Sequence, residues 1–279
     1  MRTRTIAVGV AVLAVAVLAG AAQAGTWVQL PDMSATGLDV LATWRTDASG
    51  TPVYRKVVAD DFKCTQTGLI TNITIWGSWL NDELNPLAAF HLTIRADVPA
   101  GVDAPYSHPG NREEDILWRM TCGSGVPVRT LVGTASEQFY DPNTKSMIGT
   151  DTKVWKYSFN FSEAMAFMQQ GTAADPVTYW LTVQADQMGT DTEDAFGWKT
   201  SLNHKLDDAV YADTDVWGGA LTGPAPLPVF WADLHYPAGH PLAPGSMDMA
   251  FAVSPEPATL CLLGAGLAGF AIRRGRRGF

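Results

Sequence analysis

Trp155-Lys156-Tyr157-Ser158-Phe159-Asn160-Phe161 alternates aromatic and polar side chains without a break. An extended backbone, whose successive side chains point to opposite faces, puts all four rings on one side. The stretch is therefore predicted as a β-strand buried on one face. The same period of two recurs around it. Ile73 and Ile75 alternate with Asn72 and Thr74, and Phe90, Leu92 and Ile94 with His91, Thr93 and Arg95. Tyr179, Leu181 and Val183 alternate with Thr182 and Gln184, and Met247, Met249, Phe251 and Val253 close the series. Turn-forming residues at 81–86, 99–110, 141–143 and 218–228 separate these runs. Only residues 163–170 read as a helix, with Gly171 as its stop. Many strands and broad loops predict an all-β domain, an antiparallel, jelly-roll-like sandwich.

Both ends of the 279-residue chain differ from this middle. Arg2 and Arg4 precede an apolar run to Ala19, and Ala22-Gln23-Ala24 offers a small-residue cleavage site. This is the layout of a secretory signal peptide over residues 1–24. With no twin arginine, the expected route is the Sec-type export machinery. The β domain then covers residues 25–254, about 230 residues, which suits one large β domain.

At the other end, Pro255-Glu256-Pro257 is followed by an apolar run from Ala258 to Ile272 and by Arg273, Arg274, Arg276 and Arg277. The prolines bar a helix through the turn, since each lacks a donor and biases its predecessor toward extended geometry. The apolar run of roughly fifteen residues makes a helix of about 22 Å. That is short for a hydrocarbon core of about 30 Å, and snorkelling arginines compensate while placing the C-terminus in the cytoplasm. Gly264, Gly266 and Gly269 match the spacing of a dinucleotide fingerprint. They lack its strand-to-helix context and its later acid, so they read as small residues of a membrane helix. The order of turn, apolar helix and arginine cluster over residues 255–279 resembles the PEP-CTERM sorting signal. That resemblance implies recognition by exosortase, a membrane-embedded protease, with Pro255, Glu256 and Pro257 as the processing motif. It also implies a transient inner-membrane anchor, followed by release to the cell surface or the medium.

Between these ends, Ala59-Asp60-Asp61-Phe62-Lys63-Cys64, Ile75-Trp76-Gly77-Ser78-Trp79, Phe196-Gly197-Trp198-Lys199-Thr200-Ser201 and Asp207-Asp208-Ala209-Val210 are similar to a domain of secreted proteins of planctomycete-type bacteria. The resemblance implies export and a β fold and brings no catalytic residues. The termini hold six of the 19 basic residues and one of the 28 acids, so the exported part carries a net charge near −14. Such a surface repels nucleic acid and anionic lipid. Of the three cysteines, Cys261 lies in the tail, leaving Cys64 and Cys122 for an oxidising compartment. A disulfide between them is expected, closing a loop of about 59 residues and contributing roughly 4 kcal/mol. Two separately buried thiols are the alternative.

Catalytic signatures are sparse. Gly123-Ser124-Gly125 lacks the strand-turn-helix frame of a nucleophile elbow, and no histidine falls in a zinc-helix pattern. His235 and His240 flank a turn and read as exposed loop residues. Asp60-Asp61 and Asp207-Asp208 each put neighbours on opposite faces of an extended strand, so neither forms a glycosidase pair alone. Asp191, Glu193 and Asp194 in one loop, with Asp213 and Asp215 in another, supply oxygens of the kind calcium needs. Trp180 is out of phase with Tyr179 and Leu181, and Trp76 with Ile75, so both rings are assigned to outer faces where they can stack on sugars. The expectation is a non-enzymatic structural or binding module. A carbohydrate-binding module, calcium-dependent or not, and a polysaccharide-acting hydrolase are the alternatives, with extracellular polysaccharide as the partner.

Overall fold

The computed structural model describes residues 26–186, 194–214 and 231–255. The signal peptide with Ala22 and Ala24, the acids Asp191, Glu193 and Asp215, and the tail with Glu256 and Pro257 lie outside the described residues. No helix within them is long and apolar enough to cross a membrane.

In chain order the strands are β1 (Trp27–Gln29), β2 (Leu38–Leu41), β3 (Thr43–Thr46), β4 (Pro52–Cys64), β5 (Gly68–Trp79), β6 (Ala89–Val98), β7 (His108–Pro109), β8 (Ile116–Cys122) and β9 (Val128–Asp141). They continue with β10 (Ser146–Asn160), β11 (Phe167–Gln169), β12 (Val177–Asp186), β13 (Phe196–Ser201), β14 (Val210–Asp213), β15 (Ala232–Asp233), β16 (Asp248–Met249) and β17 (Phe251–Pro255). They form two curled sheets, one in the order β1-β17-β5-β10-β9-β2-β13-β16 and the other β15-β14-β4-β3-β12-β6-β7. The aromatic stretch of β10 behaves as its alternation requires: Tyr157 and Phe159 are buried between the sheets, and Lys156 and Ser158 turn away. Phe90 and Phe196 meet Tyr157 at ring-centroid distances of 4.9 and 5.7 Å, so both sheets contribute to one aromatic core.

Two features depart from the sequence expectation. Pairing is mixed, because β2 runs parallel to β9 and β3 parallel to β12. The cause is a crossing at Ala42, where the chain leaves the first sheet for the second. Its N–H donates to Phe196 O and its carbonyl accepts from Ala185 N–H. Residues 163–170 are also not helical. One turn follows Ser162, and then β11 pairs with residues 68–70 of β5. The edge of β5 offers backbone partners that a two-turn helix could not match.

The cysteines require a correction as well. Cys64 and Cys122 are buried and unbonded, and Cys64 Sγ donates to Gln169 Oε1 at 2.9 Å. They occupy opposite corners of the second sheet. Cys64 lies opposite Val177, whereas Cys122 lies opposite Phe90, which faces Ala185. Eight residues of β12 therefore separate them along the strands, about 26 Å at 3.3 Å per residue, far beyond disulfide reach. Burial pushes both thiols up to about 12. A thiol reagent is expected to leave both unmodified in the folded chain and to label both after unfolding without reductant. Unfolded chains that resist labelling until reduced would restore the disulfide.

The first sheet also closes on itself. Beyond its contacts with β17 and β10, the end of β5 pairs with β13 through Phe196↔Trp79 and Trp198↔Gly77. Strands β5, β10, β9, β2 and β13 thus form a five-membered ring. Glycine allows the closure, because a Cβ on Gly77 would stand 2.2 Å from Gly197 O. Another on Gly197 would press the Phe139 ring at 2.6 Å.

Candidate functional site

Side chains on the ring's inner face are turned away from the aromatic core and meet one another. Each ring strand contributes one polar group there: Asp39 from β2, Ser78 from β5, Glu137 from β9, Asp151 from β10 and Lys199 from β13. All five are buried. Asp39 and Lys199 are direct cross-strand partners, and Glu137 faces Asp151 in the same way. Lys199 Nζ lies 2.6 Å from Glu137 Oε1 and 3.5 Å from Asp39 Oδ2. Leu41, Leu80, Phe139 and Ala195 form the apolar cluster beside them on the same face.

Three carboxyls against one ammonium cannot all stay ionised away from water. Burial, followed by the charge of Asp39, pushes Glu137 up to about 9. The same two causes push Asp151 up to about 8. Burial alone would lower Lys199, but Asp39, Glu137 and Asp151 together outweigh it and hold the ammonium above its ordinary value.

A second acidic group lies on the seam between the sheets, built from two of the aspartate pairs in the sequence. Asp60 turns inward and accepts from Gln29 Nε2 at 2.8 Å and from Met249 N–H at 2.6 Å. Asp61, on the opposite face of β4, accepts from Asp207 N–H at 3.4 Å. Asp248 accepts from Lys205 N–H at 2.8 Å and faces His204 Nδ1 at 3.2 Å. Ligand atoms of His204, Asp208 and Asp248 lie within 4.8 Å of one another, a spacing that a cation can bridge. Burial, joined by the neighbouring acids, raises Asp60 well above the carboxylate range, Asp61 to about 8 and Asp248 to about 6.

These shifts carry a sign for stability. The unfolded carboxyls titrate near 4, so between about pH 4.5 and 8 the folded chain holds protons that the unfolded chain has released. Each such proton lowers stability by up to about 1.4 kcal/mol per pH unit as pH rises through that window. The urea midpoint is therefore expected to be higher at pH 5 than at pH 8, and Asp61→Asn should flatten the slope. A midpoint that rises toward pH 8 would contradict the buried protonated carboxyls.

An open pocket of about 330 Å³ lies where the loop after β9 meets the β14–β15 edge. Tyr140, Tyr211 and Tyr236 line it, with Lys145, Asp233 and His235 among its polar groups.

The other residues expected from sequence are scattered. Trp76 is half-buried on the outer face of β5, opposite Lys156. Trp180 is on the outer face of β12 but has 0 % exposure. It clusters with Val57, Val210 and Trp231, Tyr106 packs against that cluster, and its indole N–H donates to Asp97 Oδ1 at 2.8 Å. It offers no face to a sugar. Asp213 is engaged by Lys56 at 2.6 Å and Arg55 at 3.4 Å, and Asp194 is buried. His240 stacks on Tyr236 at 4.6 Å and His235 lies 3.9 Å from Asp233, so the two histidines hold different partners. Sequence reading missed both the ring cluster and the tyrosine pocket. The one available signal for the ring was Lys199, a charged residue in the otherwise charge-free run of β13.

Comparison with known families agrees with this division of the chain. Residues 25–254 match the model of a domain of unknown function, DUF7901. Residues 255–277 match the PEP-CTERM protein-sorting motif. No curated protein matches the chain.

Proposed function

The chain belongs to the DUF7901 family, and with the sorting motif directly behind the domain we propose that it is an exported, exosortase-sorted protein. Its β domain serves at the cell surface or in the extracellular matrix as a structural or binding module, without catalysis. One observation carries this reading. Pro255, the first residue of the matched motif, is also the last residue of β17 and pairs with Ile70. No spacer separates the folded sheet from the sorting segment in sequence, so the domain directly adjoins the outward end of its inner-membrane anchor until it is cut. Surface protease treatment of intact host cells, with and without a functional exosortase, tests the reading. In the wild type the domain should be surface-accessible or in the medium, and without exosortase it should fractionate with the inner membrane. A domain found in the cytoplasm of wild-type cells would sink the proposal.

A second reading, in which the domain binds saccharide, is favoured by the tyrosine-lined pocket rather than by any tryptophan. Tyr140 and Tyr236 are buried, but the half-buried Tyr211 ring can stack on a sugar, with Lys145, Asp233 and His235 as hydrogen-bonding partners at the rim. Titration with a panel of neutral and acidic oligosaccharides, followed by tyrosine and tryptophan fluorescence, is the check. Tyr211→Ala should weaken any binding by about tenfold, or 1.4 kcal/mol. Equal affinity in that variant would remove the pocket from the account.

A further inference from the structure

The ring cluster has the parts needed to make a covalent bond within the chain. An amine, a carboxyl and a second carboxyl able to move protons sit together in a water-excluded site on paired strands. We propose that Lys199 Nζ condenses with the Asp39 side chain to form an intramolecular amide joining β13 to β2, with Glu137 as the proton-transfer group. The reading is independent of where the protein is sorted.

The geometry argues for it in three ways. Asp39 and Lys199 are directly opposed across an antiparallel pair, which fixes their side chains on one face and within reach. Nζ stands 3.5 Å from Asp39 Oδ2, an oxygen bonded directly to the carbon that it would attack. Glu137 Oε1 is 2.6 Å from the same nitrogen, so the group that must exchange protons with the nucleophile is already in contact with it.

The charge balance also favours condensation. The Lys199 ammonium and the Asp39 carboxyl group face each other across the strand pair. One proton must first pass from nitrogen to oxygen to give an amine and a carboxylic acid, a step that the surrounding carboxyls oppose and that loss of a buried charge pair assists. The nitrogen lone pair then adds to Asp39 Cγ and the C–N bond forms. Glu137 protonates the departing oxygen and takes a proton from nitrogen, the C–O bond breaks, and water leaves. Atoms and charge balance without any oxidant or co-reactant, and Glu137 ends as it began. The product replaces two buried charges by one neutral amide. An exported domain whose cysteines stand too far apart to bond thereby gains an internal staple.

The test uses the full chain purified from its host, unfolded and digested with trypsin. The peptide holding Asp39 should be recovered joined to the one spanning Lys199, one water lighter than the two together, with no cleavage after Lys199. Glu137→Gln should yield the two peptides separately, with wild-type circular dichroism if it folds. If that variant fails to fold, the wild-type digest decides alone. Separate wild-type peptides, with cleavage after Lys199, would mean an ordinary buried ion pair and overturn the proposal. A joined pair in folded Glu137→Gln would overturn the role given to Glu137.

Discussion

Phe196→Ala is expected to cost about 3–5 kcal/mol of folding stability. The ring is fully buried and meets Trp79 at 5.7 Å, Phe90 at 5.0 Å and Tyr157 at 5.7 Å, edge-on in each case. Those partners come from both sheets, so removing the ring leaves a cavity between the layers rather than a loose edge. Its backbone holds the ring closure, being paired with Trp79 and accepting from Ala42 N–H and Thr43 Oγ1. Neighbours pinned in this way relax little, which keeps the cavity term large. Set against a stability of roughly 5–15 kcal/mol, the loss is a large share of the total. It should lower the thermal midpoint by roughly 6–20 °C in a domain of this size. Leu131→Ala, an exposed position on β9, is the control and should change stability by no more than about 0.5 kcal/mol. A Phe196→Ala midpoint within 2 °C of the wild type, on the order of 1 kcal/mol or less, would mean that the aromatic cluster does not hold the sheets together.

The second large effect is on location. Replacing Pro255, Glu256 and Pro257 together by alanine should convert a released or surface-held protein into an inner-membrane precursor. The substitution removes both prolines, whose sequence bars a helix, and extends the helix-compatible sequence toward the domain. The folded part tolerates it, because β17 keeps its pairs from Phe251 to Ser254 with β5. Membrane and soluble fractions of the host, probed with an antibody to the domain, provide the measurement. A variant distributed like the wild type would show that the motif is not read.

The strands were legible where one face meets the core and the other meets solvent or a second layer. The alternation in β5, β6, β10 and β12 reports that condition directly. It fails in β2 and β13, where every residue is buried and no contrast between faces survives. It fails again within β10, whose register shifts between Asp151 and Lys153 and between Val154 and Trp155. These bulges turn Asp151 into the ring although alternation counted back from Tyr157 does not mark it out. The ring cluster was therefore hidden for a physical reason: Asp39 and Lys199 sit on strands that bury both faces, and Asp151 sits where the register shifts. Trp180 shows the complementary limit. Its outward direction could be read from phase, but its cover comes from Tyr106 and Trp231, residues far away in the chain. The turn-then-strand at residues 162–169 was read as a helix because a short apolar run carries no sign of the sheet edge awaiting it.

The two ends are the reverse case. Their sequence patterns speak to machinery outside the protein, so composition and order alone identify the sorting segment that the family comparison matches. The central claim, an exported β domain delivered through that segment, is tested most directly by the C-terminal peptide of the mature protein isolated from its own host. The account expects that peptide to end near Pro255-Glu256-Pro257, without Cys261 and without the arginines at 273–277. A mature protein that retains those arginines in every molecule would contradict exosortase sorting and reduce the tail to a permanent anchor.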